Sequence, residues 1–259
     1  MFDPNIDNIK YYNNEMKKSI IDKIFFLDKI DAEIIVDFGC ADGTLIQFIE
    51  EMFPETICIG YDIFETELSI AKQKVKNQNL LFSNWDKLIS HLNNVKENKK
   101  TAVICNSLIH EVYAYGNAET VSLFWDRIYN SNFDYIVVRD MCVSETTNRK
   151  VDSITLATIK QKANRIMLRE FESEWGIIDN CWSMIHFLLK YRYEKNWKRE
   201  VKENYLPITY ETMLQMIPNK YRIDYIDHFI LPFINNQIEK DFGIKLQDNT
   251  HLKLILKRN

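Results

Sequence analysis

Val36-Asp37-Phe38-Gly39-Cys40-Ala41-Asp42-Gly43-Thr44 decides how this chain reads. The β-branched run Ile34-Ile35-Val36 leads into an aspartate, then a turn whose two glycines are spaced GxxxG, then an amphipathic stretch from Thr44 to Met52. Strand, glycine-rich turn and helix in that order make one unit of an open sheet, with the turn at the carboxyl edge where such sheets bind ligands. Pro54 stops the helix, because a proline disfavours helical geometry in the residue before it. The spacing is not the GxGxxG that brings a helix N-terminus against a pyrophosphate. A carboxylate just ahead of the turn suits an ammonium group better.

Outward from this unit, strand signals alternate with amphipathic stretches through the first half of the chain, the pattern of a parallel sheet covered on both faces. Strands are expected at 56–61, 80–82, 102–105 and 135–139, and helices at 65–76 and 118–129. A helical stripe of Ile20, Ile21, Ile24, Phe25 and Leu27 precedes them. From Val143 to Tyr205 the pattern is helical with no strand, which reads as an insertion. Strand signals return at 221–226 and at 251–257, where Leu and Lys alternate with period two as in a half-exposed edge strand. The expected organisation is a core over 1–142, a helical cap over 143–205 and completion of the core sheet over 206–259.

With 259 residues, 46% hydrophobic and 27% charged, and only six Gly and five Pro, the chain fits one large globular domain. Disorder and collagen-like structure are excluded. Cys40, Cys58, Cys105, Cys142 and Cys181 are odd in number, far apart and without a CxxC, so neither a disulfide framework nor a zinc knuckle is suggested. A reducing compartment fits. Met1-Phe2-Asp3-Pro4-Asn5 carries no basic and apolar leader pattern, and no apolar run is long enough to cross a bilayer, so a soluble cytoplasmic protein is expected. The net charge is −4, but the stretch 147–202 holds 12 Lys and Arg against 7 Asp and Glu, a basic segment on an acidic body.

The glycine stretch resembles motif I of the class I S-adenosylmethionine-dependent methyltransferases, a D-x-G-x-x-x-G pattern. That resemblance covers roughly 34–141 and, more loosely, the last two strands. It implies a Rossmann-like α/β fold with a seven-stranded, mostly parallel sheet, an antiparallel last strand and the helical cap as an insertion. It implies S-adenosylmethionine as cofactor, with Asp37, Gly39, Cys40 (through its backbone) and Gly43 near the methionine part. Asp62, after the second strand, is then expected on the ribose hydroxyls, since a carboxylate accepts strongly from paired donors. Asn84 is expected on the adenine amino group, with Asp86 as second choice, and Trp85 or Ile63 against the ring. Asn106 is included in the cofactor set. Asp42 reads as a turn or cap residue.

Strand four runs into Asn106-Ser107-Leu108-Ile109-His110-Glu111-Val112-Tyr113, where the resemblance implies the acceptor side. His110 has a pKa suited to taking a proton near neutral pH, Glu111 to orienting it or acting as the base, and Tyr113 to positioning the acceptor. The alternative is that His110 and Glu111 cap a helix or close the cofactor pocket. There is no Asp/Asn-Pro-Pro-aromatic motif, no Pro-Cys and no HExxH, so amino-methylating DNA enzymes, a cysteine nucleophile and a bound metal are not supported. Between Cys181 and Glu203 helical spacing sets a stripe of Trp182, Ile185, Leu189, Tyr193, Trp197 and Val201 opposite Arg192, Lys195, Lys198, Arg199 and Lys202. Those cations, Arg192, Lys195 and Arg199 foremost, are either a solvated face or a phosphate-contacting surface. The leading expectation is methyl transfer to an oxygen or nitrogen of a phosphate-bearing acceptor such as RNA or a nucleotide. The alternatives are a small-molecule methyltransferase of specialised metabolism and a catalytically silent cofactor-binding subunit.

Overall fold

The computed structural model describes residues 20–259, so the leader reading at Met1 to Asn5 lies outside the described residues. Strand β1 (Ile34–Phe38) is buried at every position, as a strand covered on both faces must be. Its alternate side chains enter two apolar layers, with Ile34, Val36 and Phe38 in one and Ile35 in the other. The same division runs through β4 (Thr101–Asn106) and β5 (Tyr135–Met141): Val103, Cys105, Ile136 and Val138 join the first layer, Ala102, Ile104 and Val137 the second. With β2 (Ile57–Tyr61), β3 (Leu81–Phe82), β6 (Tyr221–Phe229) and β7 (His251–Arg258) they form one seven-stranded sheet in the order β3-β2-β1-β4-β5-β7-β6. β7 runs antiparallel to both of its neighbours, and the other pairs are parallel.

The expectation that 251–257 forms an edge strand is corrected, because β7 is paired on one side with β5 and on the other with β6. Leu252, Leu254 and Leu256 do share one face. On the other face Lys253 lies over the Phe229 ring at 4.4 Å and Lys257 over the Tyr135 ring at 5.2 Å. Long lysine stems cover apolar surface while their charged heads find partners, so a period-two Leu/Lys pattern does not require an edge.

Helix α1 (Ile20–Lys23) is short and passes into hydrogen-bonded turns, among them Leu27 N to Ile24 O at 3.0 Å. Helix α2 (Thr44–Met52) has the expected span and ends at Phe53, whose extended φ of −133° precedes Pro54. Helices α3 (Glu65–Ala71), α4 (Trp85–Val95), α5 (Ile109–Tyr115) and α6 (Ala118–Asn130) complete the first half. After β5 come α7 (Ser153–Lys162), α8 (Arg165–Trp175), α9 (Cys181–Tyr191) and α10 (Trp197–Glu200), which gather their own apolar cluster around Phe171, Phe187, Leu189 and Trp197. Helix α11 (Tyr210–Gln215) returns Met213 to the sheet. Helix α12 (Pro232–Phe242), between β6 and β7, sends Ile234, Ile238 and Phe242 into the cap cluster.

The 181–203 stretch is not one helix. It breaks after Tyr191, and Lys190 Nζ donates to the backbone oxygens of both Glu200 and Glu203. In a continuous helix residues 190 and 203 would stand about 20 Å apart. The buried lysine instead satisfies carbonyls at the end of α10 that have no intrahelical partner. No helix among the described residues is long and apolar enough to cross a membrane.

Candidate active site

From β1 the chain moves toward β2 and β3 on one side and returns to β4 on the other. The crevice outside the carboxyl ends of β1 and β4 is therefore the switch point where open α/β sheets bind ligands, and it holds a cavity of about 440 Å³. The amides of Gly39 and Cys40 donate to the Tyr61 carbonyl at 2.8 and 3.0 Å, which ties the glycine turn to the end of β2. Gly39 has a φ of +80°, and a Cβ there would lie 2.8 Å from Leu108 Cδ1. Glycine thus serves both the left-handed turn and the close approach of the β1 and β4 loops. Asp42 accepts the Thr44 amide at 3.2 Å and pairs with Lys74, the turn role expected of it.

Asp37, Asp62, Asn106 and Lys23 all line this cavity. Each Asp62 oxygen accepts a backbone amide at 2.9 Å, one from Ala41 and one from Phe64, which leaves lone pairs for further donors. Burial pushes the Asp37 carboxyl up to about 7, against the pull of Lys23 and with the Asp62 charge adding to the rise. The Lys23 ammonium is pushed down to about 8 by burial and by Arg139, opposed by Asp37, Asp140 and Glu111. Asn106 donates through Nδ2 to the Lys23 carbonyl at 3.2 Å, while its Oδ1 is buried with no hydrogen-bond partner among the described residues. Sequence reasoning missed Lys23, which belongs to no motif and precedes the first strand.

Ile63, 63% exposed, and Leu123, 46% exposed, line the same cavity with apolar surface. The structure does not bring Asn84 or Trp85 there. Asn84 is exposed and caps α4 by accepting the Lys87 amide at 3.0 Å. Trp85 is buried in the sheet layer, with ring centroids 5.0 Å from Phe38 and 5.3 Å from Tyr61. Because β3 is only two residues long, the chain enters α4 at once and turns its first side chain into the core.

A second cavity, of about 390 Å³, adjoins the first, and Ser107 and Glu111 line both. Ser107 holds a left-handed φ of +54°. Its amide donates to the Arg139 carbonyl at 2.7 Å and its hydroxyl accepts from Arg139 Nη1 at 3.2 Å. His110, at the start of α5, lines the second cavity, and its Nδ1 is 2.7 Å from Asp140 Oδ1 at the end of β5. Asp140 is itself fixed by the Ile109 amide at 2.7 Å and the Met141 amide at 2.8 Å. Nδ1 is therefore the protonated nitrogen on the carboxylate, and Nε2 has no hydrogen bond among the described residues. Burial opposes the charged ring, but the Asp140 charge and hydrogen bond outweigh it, with Glu111 and Glu203 adding, and push His110 up to about 9.

Asp140 thus orients His110, and Glu111 does something else. Glu111 Oε1 pairs with Arg199 Nη2 at 3.1 Å, Arg199 Nη2 reaches Glu203 at 2.8 Å, and the Tyr115 hydroxyl donates to Glu203 at 2.5 Å. Burial and Glu203 raise the Glu111 carboxyl against the pull of His110 and Arg199. Tyr113 lines neither cavity; its hydroxyl accepts from Trp125 Nε1 at 3.0 Å. The broken helix also divides the expected basic face. Arg199 turns inward, Arg192 lines the second cavity with its guanidinium 4.3 Å from the Tyr193 ring, and Lys195, Lys198 and Lys202 are exposed. Among the described residues no group of three or more His, Cys, Asp or Glu is arranged to hold a metal. A signal for Asp140 existed in Val138-Arg139-Asp140-Met141, charged residues at the carboxyl end of an otherwise apolar strand.

No protein-family model and no curated protein sequence matches the chain. Solved structures do. An S-adenosylmethionine-dependent methyltransferase from Archaeoglobus fulgidus superimposes with a TM-score of 0.53 at 14% identity, over 96% of this chain and all (100%) of that one. The plantazolicin methyltransferase BpumL, in complex with SAH, gives 0.51 at 10% identity over 99% and 92%. The plantazolicin methyltransferase BamL, in complex with a triazolic desmethylPZN analogue and SAH, gives 0.50 at 12% identity over 99% and 91%. The fold is that of the class I methyltransferases. At these identities the likeness concerns the fold alone.

Proposed function

We propose that this protein is an S-adenosylmethionine-dependent methyltransferase that binds its cofactor in the first cavity and a small acceptor, methylated on nitrogen or oxygen, in the second. The observation that carries the reading is the set of acceptors at the glycine turn: the buried carboxylates Asp37 and Asp62, and Asn106 Oδ1, which has no hydrogen-bond partner among the described residues. Two buried carboxylates repel a pyrophosphate. An ammonium group on Asp37 and Asn106, and a ribose diol on Asp62, meet those acceptors. Lys23 is available to the carboxylate of the same amino-acid group, and Ile63 and Leu123 offer apolar surface to a flat ring. The bound cofactor supplies an electrophilic methyl group on a sulfonium.

The chain supplies alignment and a base. In its neutral form, whose share grows as pH rises toward about 9, His110 takes the proton from the acceptor at Nε2 while Nδ1–H stays on Asp140, the division of labour by which a buried carboxylate fixes an imidazole. Holding two ligands in adjoining cavities provides much of the acceleration by proximity. A small acceptor is favoured over a polynucleotide because the inserted helices help enclose the second cavity and Arg199 is engaged by Glu111 and Glu203. Titration calorimetry tests the cofactor: S-adenosylmethionine and its demethylated product bind and NAD does not. Asp62→Ala weakens that binding by about 1.5 to 3 kcal/mol, the worth of a charge-assisted bond and its stranded partner. Absence of heat with both sulfur nucleotides at millimolar concentration overturns the reading.

A further inference from the structure

We propose that the acceptor is an amine on an apolar or aromatic body, held as its ammonium ion by Glu200 in the second cavity. The proposal rests on the methyltransferase reading and names its substrate class. Glu200 is 3% exposed and lines this cavity. Its Oε2 accepts the Tyr205 hydroxyl, but its Oε1 is buried with no hydrogen-bond partner among the described residues. Arg199 Nη1 is 3.9 Å from that oxygen, beyond hydrogen-bond range. Lys190, on the cap side, directs Nζ to the backbone oxygens of Glu200 and Glu203 instead.

A buried carboxylate oxygen without a donor is costly, and such groups in native proteins have partners. The cations on the sheet side of the cavity are differently placed: Arg139 and Lys253 both pair with Asp22. Among the described residues none of these cations is hydrogen-bonded to Glu200 Oε1. Leu189, Tyr205, Leu231, Phe233 and Ile234 make up apolar and aromatic lining, and aromatic faces attract ammonium ions further.

Tyr205 fixes the spacing between anchor and base. Its ring centroid is 5.6 Å from that of His110 and its hydroxyl is on Glu200, so one phenol separates the two. Glu200 draws the ammonium ion into the cavity that His110 also lines. An alkylammonium, with a pKa of about 10, exchanges its proton with an imidazole raised toward 9 at little cost, whereas an alcohol does not. Neutral His110 takes one proton. The freed nitrogen lone pair forms the N–C bond to the methyl group as the C–S bond breaks, its electron pair passing to sulfur. The products are an N-methylammonium ion, a neutral thioether and protonated His110.

The test uses the full chain, with and without the demethylated cofactor, titrated calorimetrically with benzylamine, benzyl alcohol and phenylacetate, three probes of one size. Benzylamine is expected to bind at least tenfold more tightly than benzyl alcohol. Glu200→Gln, nearly isosteric, is expected to weaken benzylamine at least tenfold while benzyl alcohol and the demethylated cofactor bind as before. Equal or tighter binding of the alcohol or the acid, no binding of benzylamine, or an unchanged amine affinity in Glu200→Gln overturns the proposal. If that variant does not fold, the amine-to-alcohol ratio in the unaltered protein decides. The cofactor titration separates the two claims: when it succeeds and the amine fails, only the amine reading falls.

Discussion

Asp140→Asn removes one charge from beneath His110 and almost nothing else by volume, so its effect follows from the balance at that ring. Burial disfavours the imidazolium, and the Asp140 charge, with its 2.7 Å bond to Nδ1, does most to lift His110 to about 9. Without that carboxylate the ring should titrate at or below the ordinary value near 6.5. The sign of the stability effect follows. A histidine that binds its proton more tightly when folded contributes fully below about pH 6.5, and that contribution disappears as pH rises through about 9. A difference between 6.5 and 9 is worth about 3 kcal/mol. Urea unfolding of both proteins at pH 6 and at pH 9.5 should therefore show a gap that shrinks by about 3 kcal/mol, with pH-independent losses, such as weaker bonds to the Ile109 and Met141 amides, cancelling in the difference. NMR titration of the imidazole reads the same change directly. Parallel stability curves, or a His110 titration unmoved by the substitution, would refute the argument that Asp140 governs this ring.

Asn84→Ala should cost about 1 kcal/mol of stability, the usual worth of an N-cap, and leave cofactor affinity unchanged in calorimetry, because the side chain caps α4 and does not line the cavity. The double change Lys195→Glu, Lys198→Glu alters two exposed cations and should leave turnover of a small acceptor within about twofold and stability within about 0.5 kcal/mol. If instead the unaltered protein retains RNA on a filter with steep salt dependence that this change flattens, a polynucleotide crosses the cap.

The sequence disclosed what is local and concealed what is brought together across the fold. The glycine turn was legible because strand end, carboxylate and both glycines fall within one unbroken stretch, and each residue type there has a single physical reason to be present. Asp62 was legible for the same reason, one strand later. Asp140 was not, since it stands thirty residues from His110 in the chain and meets it only because β4 and β5 are parallel neighbours. Glu111, adjacent in sequence, was the natural candidate to orient the histidine, but its carboxylate pairs with Arg199 from the cap. Trp85 and Tyr113 show the converse difficulty. An aromatic residue beside a motif reads equally as ligand contact or as core, and burial of Trp85 against Phe38 and Tyr61 resolves it as core.

Where the helices after β5 are inserted explains how they and His110 are kept in register. The cap leaves the sheet at the end of β5, within three residues of Asp140, and is tied back there by the Tyr210 amide donating to the Val143 carbonyl at 2.9 Å and the Cys142 amide to the Thr250 carbonyl at 2.9 Å. The strand end that orients His110 is thus also the anchor from which the cap helices depart. Their far side is held by Arg199, which reaches Glu111 on α5, the residue next to His110. His110 therefore lies between two attachments of the cap, one through Asp140 and β5, the other through Glu111. A change at Glu200 or Tyr205 alters the lining of the second cavity away from the glycine turn, whereas a change at Asp140 or Glu111 reaches both His110 and the inserted helices. The inserted helices thus contribute to the lining of the second cavity, while the glycine turn and its carboxylates belong to the sheet edge.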